Sequence, residues 1–293
     1  MEKQVVYQSE SPNPIPLTCL SIDKAGKRAA CGTTEGQILL IDLEEGTPLK
    51  TLTGHEDIVS KVRFLEKGAH LLSSSWDGTT RCWSLQKTKN EPSILKHDSA
   101  VKSLAIAKDE NKGAAGARSG EVKVFSVQYM KCIRNIQADN PDVLGLHFRN
   151  GDSQLLSASW NGSCCVWNLK DYEMLSTLHE DDTRIRCFEV TPDDTQVLLG
   201  LHDERIRVFS AEDPSDAFTL EGHTDRITDF AILPDNRLVS SSWDRTIRLW
   251  SLNDEEELQQ VKLWSGVCSV QWCTACEKLF ATDLSGSLLA WRF

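Results

Sequence analysis

Several features that would name a chemistry are missing from this chain. No apolar run approaches the roughly 18 residues of a membrane-spanning helix. The first residues, MEKQVVYQSE, lack the basic and apolar stretches of a signal peptide. Bases are in deficit: 32 Lys and Arg against 43 Asp and Glu leave a net charge of −11, which disfavours a sequence-independent hold on nucleic acid. No H-E-x-x-H, G-x-S-x-G or kinase set occurs. Gly113–Gly120 is glycine-rich but has no Lys-Ser/Thr to cradle phosphates. Cys273 and Cys276 form a lone C-x-x-C with no second pair to complete a zinc site. The ten cysteines are irregularly spaced and read as reduced thiols, with adjacent Cys164 and Cys165 on opposite faces of one strand. The expectation is a soluble intracellular protein, cytoplasmic or nuclear, without metal, cofactor or membrane span.

What the chain does have is a repeat. Ser73–Leu85 (SSSWDGTTRCWSL), Ser157–Leu169 (SASWNGSCCVWNL) and Ser240–Leu252 (SSSWDRTIRLWSL) match almost residue for residue, each reading as strand, sharp turn and strand. The last large apolar residue of the unit recurs at Ile41, Trp83, Phe125, Trp167, Phe209, Trp250 and Trp291, with gaps of 42, 42, 42, 42, 41 and 41 residues. Gly54-His55 and Gly222-His223 precede two of the hairpins at a matching distance. Seven units of that length, four strands each, predict an all-β radial propeller spanning residues 1–293 as one domain. The first unit reads as strands over Leu17–Ile22, Arg28–Gly32, Gln37–Leu43 and Leu49–Leu52, and the last as Val267–Trp272, Lys278–Thr282 and Ser287–Phe293.

The chain thus resembles the WD-repeat family of seven-bladed β-propellers. The Trp-Asp pair is itself absent after the markers, where Trp83-Ser84, Trp167-Asn168 and Trp250-Ser251 stand, and Asp42 alone keeps the acid. The resemblance implies that an N-terminal strand joins the last blade and closes the ring. Val5–Tyr7 is the candidate for the strand the seventh unit lacks, and closure removes an open edge. It also implies a hydrogen-bonded His–Ser–Asp–Trp series inside a blade, which two units can make: His55, Ser73, Asp77, Trp83 and His223, Ser240, Asp244, Trp250. Unit four keeps Ser157 and Trp167 but has Asn161, and Asp139 in the His place; unit three keeps only His97; units one, five and seven lack the His. Blades two and six are therefore expected to be the stiff ones. A catalytic reading of His-Ser-Asp is disfavoured because the family buries these groups, and no catalytic residue is expected.

The resemblance further implies three positions per blade on the narrower face. The first is the residue before the turn Asp: Thr34, Trp76, Arg118, Trp160, His202, Trp243 and Leu284. The other two bring Lys102, Arg184, Arg186, Arg226 and Asp142 to the same face. Turns are usually polar, whereas Trp and Arg are enriched at binding hot spots. The expected site is therefore Trp76, Trp160 and Trp243 among Lys102, Arg118, Arg184, Arg186, Arg226 and His202, a basic face on an acidic chain unless Asp57, Asp98 and Asp225 neutralise it. The functional expectation is a non-enzymatic scaffold or adaptor, a monomer within a complex, binding other proteins through an acidic or phosphorylated segment. The alternative is a regulatory or sensor propeller working as a subunit or fragment of a larger signalling or ubiquitin-ligase assembly. A cullin-type substrate receptor would want Arg three residues after a marker Trp, where Gln86, Lys170 and Asn253 stand.

Overall fold

The computed structural model describes residues 2–9, 12–65, 68–86, 91–138 and 141–292; Asp139 and Phe293 lie outside them. Among the described residues the secondary structure is all strand, in seven antiparallel sheets of four. Blade one is Leu17–Ile22, Arg28–Thr33, Ile38–Asp42 and Pro48–Leu52, running from the centre outward. Blade six is Ile227–Ile232, Arg237–Ser242, Thr246–Ser251 and Glu256–Lys262. The innermost strands touch their neighbours in chain order around the ring, and Val267–Cys273 of blade seven meets Leu17–Ile22 of blade one. The chain is a seven-bladed β-propeller.

Blade seven takes its outer strand from the start of the chain. Glu2–Gln8 pairs antiparallel with Ser287–Arg292, Val5 opposite Leu289 and Gln8 opposite Ser287. This strand is longer than the Val5–Tyr7 core expected for it. One shift in register between Val5 and Tyr7 lets the extra residues stay in the ladder.

Adjacent blades stack through both faces of their middle strands, so these strands are apolar on both sides. The marker residues Ile41, Trp83, Phe125, Trp167, Phe209, Trp250 and Trp291 are all buried in these layers. The outer strand Glu256–Lys262 is almost wholly exposed, and its charges blunt the edge of blade six.

In blade two Trp83 Nε1 donates to Ser73 Oγ at 2.8 Å, and Ser73 Oγ lies 2.7 Å from His55 Nε2. His55 Nδ1 lies 2.8 Å from Asp77 Oδ2. Blade six repeats the series with Trp250, Ser240, His223 and Asp244 at 2.8, 2.7 and 2.7 Å. One proton arrangement satisfies every group: indole N–H to serine oxygen, serine O–H to Nε2, and Nδ1–H to the carboxylate. Burial pushes the His55 pKa down, against the pull of Asp77. For Asp77, burial opposes ionisation, but hydrogen bonds from His55 and Thr79 outweigh it and hold the carboxyl well below the usual range. The pair is a neutral imidazole on an ionised carboxylate. Ser73 and Ser240 are fully buried and already engaged by an indole, so neither is placed as a nucleophile.

The remaining blades solve the same problem differently. Blade four keeps the Trp167–Ser157 bond at 2.8 Å. His97 reaches back to Thr80 of blade two at 3.0 Å and lies 3.4 Å from Glu121, two residues beyond blade three's turn serine, Ser119. Blade five has no His in the usual slot, but His179, two residues earlier, stacks on Phe209 at 6.0 Å. In blade seven the serine position is Ala281, and Trp291 Nε1 is buried without a partner.

Candidate functional site

The narrow face is built by one backbone hydrogen bond repeated in every blade. The N–H of the residue before the turn acid donates to the carbonyl of the residue that precedes the innermost strand. The pairs are Thr34–Pro16, Trp76–Ile58, Arg118–Ala100, Trp160–Asp142, His202–Arg184, Trp243–Arg226 and Leu284–Gly266, at 2.8–3.4 Å. Two variable side chains per blade are thereby fixed side by side at the mouth of the central channel.

The turn geometry explains why these residues stay at the surface. Two residues after each of them the backbone takes positive φ, usually at glycine, as at Gly78 (φ +77°) and Gly162 (φ +97°). At Gly162 a Cβ would lie 1.9 Å from the Asp181 carbonyl oxygen of the next loop, so a side chain there would break the turn. Arg245 and Glu204 occupy the same slot with φ +68° and +65°, a conformation in which non-glycine residues are strained.

Each of the three turn tryptophans is covered by a cation. Lys102 Nζ sits 3.4 Å from the centre of the Trp76 ring, although Lys102 belongs to the next blade. Arg186 and Arg184, also from the following blade, lie 4.1 and 5.6 Å from Trp160, and His202 meets that ring edge-on at 6.3 Å. Arg226 lies 4.3 Å from Trp243 within blade six. These are cation–π distances. The rings remain at the face rather than between the sheets: Trp76 is 41% and Trp243 39% exposed, and Trp160, with three neighbours, is half-buried.

The carboxylates expected to neutralise this face form no ion pair with its bases. Among the described residues no carboxylate lies within ion-pair distance of Lys102, Arg118, Arg184, Arg186 or Arg226. Asp57 and Asp225 instead accept backbone N–H groups, of Ile58 at 2.7 Å and Arg226 at 2.6 Å. Burial, and then the neighbouring Arg226 and Arg184, lower the Arg186 pKa to about 10. Burial also lowers that of Lys102, where Asp142 pulls the other way. The mouth therefore carries bases that Asp57, Asp142 and Asp225 offset only at a distance, without ion pairing.

Below the mouth is a cavity of about 850 Å³ lined by Trp76, Lys102, Arg118, Trp160, Arg186 and Arg226, among others. Lys61 of blade two reaches Asp229 of blade six at 3.6 Å, an ion pair between blades that share no edge. It crosses the channel partway along, and the cavity lining continues past Lys61 to Arg63 and Glu189. Asp229 is held from a third direction by the Ser269 hydroxyl and the Val270 N–H of blade seven. Sequence reasoning missed this pair, because its partners lie 168 residues apart and belong to no motif.

Away from this face, Cys273 is buried and Cys276 half-buried beside it. Among the described residues no group of three or more His, Cys, Asp or Glu is placed to hold a metal. No helix there is long and apolar enough to cross a membrane.

A family model, "WD domain, G-beta repeat", matches residues 46–84, 130–168 and 215–251, the stretches ending in the Trp83, Trp167 and Trp250 hairpins. The human WD repeat-containing protein 37 is 22% identical over 86% of this chain and 53% of its own length. The Drosophila melanogaster small ribosomal subunit protein RACK1 is 25% identical over 86% of this chain and 83% of its own length. The Caenorhabditis elegans transcription factor unc-37 is 26% identical over 61% of the chain and 29% of its own length. This chain is a seven-bladed β-propeller that contains WD repeats. It spans about half or less of the length of most of the relatives it matches, including periodic tryptophan protein 2 of Saccharomyces cerevisiae at 14%.

Proposed function

We propose that this propeller is a non-enzymatic interaction module that docks an acidic or phosphorylated segment of a partner protein on its narrow face. One observation carries the reading: three exposed or half-exposed indoles, each backed by a cation, surround a channel mouth whose bases have no carboxylate partner. Indole and guanidinium groups supply the anchors common at hot spots. The unpaired bases favour an anionic ligand, and bidentate bonding by Arg186 and Arg226 suits carboxylate or phosphate. The overall charge of −11 argues against nucleic acid as that ligand.

Names among the relatives, a ribosomal subunit protein and a transcription factor, support work inside larger assemblies, in the cytoplasm or the nucleus. The second reading, a regulatory or sensor propeller that is one part of a longer signalling or ubiquitin-ligase protein, draws support from the fraction of most relatives that the chain spans. The two readings use the same face.

The test is a charge reversal at the mouth. Partners captured by proximity labelling in cells are purified and titrated against wild type and the Arg186→Glu/Arg226→Glu double variant at several salt concentrations. The expected result is an affinity lowered about 100-fold or more, equivalent to roughly 3 kcal/mol, and a flatter salt dependence with an unchanged melting temperature. Partners that bind both proteins equally at every salt concentration would remove the proposal.

A further inference from the structure

The narrow face has an anchor that the repeat pattern conceals. Trp264 is 94% exposed, more than any other large hydrophobic side chain among the described residues. It occupies the slot of Glu56 and Thr224, the residues that follow the blade-two and blade-six histidines. Buried Leu263 precedes it in the His place, so no imidazole network forms beneath this loop.

The surroundings of Trp264 are fixed by backbone contacts. Leu263 N–H donates to the Arg245 carbonyl at 2.8 Å and Leu284 N–H to the Gly266 carbonyl at 2.9 Å. The loop carrying Trp264 is thus held between the turns of blades six and seven. Gly266 has no side chain to separate them: a Cβ there would lie 3.0 Å from Leu284 Cδ1 and 3.4 Å from Trp243 Cα. Trp264 is two residues away, hence within about 7 Å along the chain. Trp243 and Leu284 are each 39% exposed. Exposed Trp264, Leu284 and Trp243 thus border this seam as a discontinuous apolar strip.

The strip has a sign. Arg226 covers Trp243 at 4.3 Å, and Arg245 and Lys262 are exposed beside Trp264. None of the three has a carboxylate within ion-pair distance among the described residues. An apolar surface bordered by unpaired bases is complementary to an acidic chain with an apolar side chain. A second copy meeting the strip about a two-fold axis would bring Arg226, Arg245 and Lys262 against their own equivalents, a like-charge arrangement that disfavours it.

We propose that the seam between blades six and seven binds an extended acidic segment of a partner protein, with an apolar side chain seated on Trp264 and Leu284 and a carboxylate at Arg226. This rests on the narrow-face reading and gives the segment a direction, a register and a further anchor. Crossing from Trp264 to Arg226 takes about three or four extended residues at roughly 3.3 Å each.

The probe is a random dodecapeptide library displayed on phage and panned against the full chain. Wild type is expected to enrich peptides with an apolar residue two to four positions from Asp or Glu. Their affinity should fall about 30-fold in Trp264→Ala, the scale of a hot-spot anchor, and recover in part in Trp264→Phe. Trp264 is outside the core, so the variant's melting curve should superimpose on wild type. Selected peptides that bind Trp264→Ala equally well, or that lack the apolar–acidic pairing, would overturn the proposal. So would Trp264-dependent self-association in sedimentation, or Trp264-dependent binding to phosphatidylserine vesicles in place of peptide. Peptides that need Trp76 and Trp160 but not Trp264 would leave the narrow-face reading standing and sink the seam alone. Peptides indifferent to all four indoles would sink both.

Discussion

Asp77→Ala and Asp244→Ala should each lower the unfolding free energy by about 3 kcal/mol, the cost of breaking a buried, charge-assisted hydrogen-bond series. Each carboxylate accepts from an imidazole, a threonine hydroxyl and a backbone N–H: His55, Thr79 and Glu56 in blade two, His223, Thr246 and Thr224 in blade six. Removing it leaves those donors without an acceptor inside the blade. In a chain of this size the loss lowers the melting temperature by roughly 6 °C or more. Calorimetry of the two single variants checks this, and melting within about 1 °C of wild type would contradict it.

The same groups set the acid limit. The folded carboxyls of Asp77 and Asp244 lie below their unfolded values, so the unfolded chain takes up protons first. Their stabilisation is complete above the unfolded value near pH 4 and is lost as pH falls toward the folded value. His55, His97 and His179 are also lowered, each first by burial, His97 to about 4. A buried neutral imidazole resists the proton that the unfolded chain accepts below about pH 6.5. Stability therefore declines in two steps on acidification; Asp77→Asn/Asp244→Asn flattens the lower one and, by removing the carboxylate that holds the His55 pKa up, steepens the upper one.

Replacing Trp76, Trp160 and Trp243 together with alanine is expected to weaken partner binding by about 1,000-fold or more. A single hot-spot indole accounts for roughly 2 kcal/mol or more, and three on one rim exceed 4 kcal/mol even without full additivity. The cost to the fold is small by comparison. Trp76 and Trp243 are about two-fifths exposed, and the cation–π contacts they lose contribute about 0.5–1 kcal/mol each at exposed sites. Titration of a purified partner, with a melting curve for each variant, separates the two effects. Full affinity in the triple variant would contradict the expectation.

The repeat made most of the fold legible. A marker every 41 or 42 residues sets blade number, and an unfilled outer strand in the last unit points to Val5–Tyr7. The turn positions were readable through the family resemblance, and the structure shows one backbone bond repeated at them in all seven blades. What escaped the sequence was contact between blades. Lys102 on Trp76 and Arg186 on Trp160 join neighbouring units, and Lys61–Asp229 joins blades on different sides of the channel. No periodicity specifies such pairs. Trp264 was hidden for another reason: it stands in the slot of Glu56 and Thr224, which is not one of the three positions read in each blade. His97 was visible as a histidine, yet its partners Thr80 and Glu121 could not be read from a motif that puts Ser and Asp there.

The most direct test is to follow the indole N–H signals of the nine tryptophans by NMR while a purified partner is added. Binding at the narrow face should move the signals of Trp76, Trp160 and Trp243, with Trp83, Trp167, Trp250 and Trp291 left in place between the blades. Saturation of the partner with the first three signals unmoved would show that the docking surface lies elsewhere on the ring.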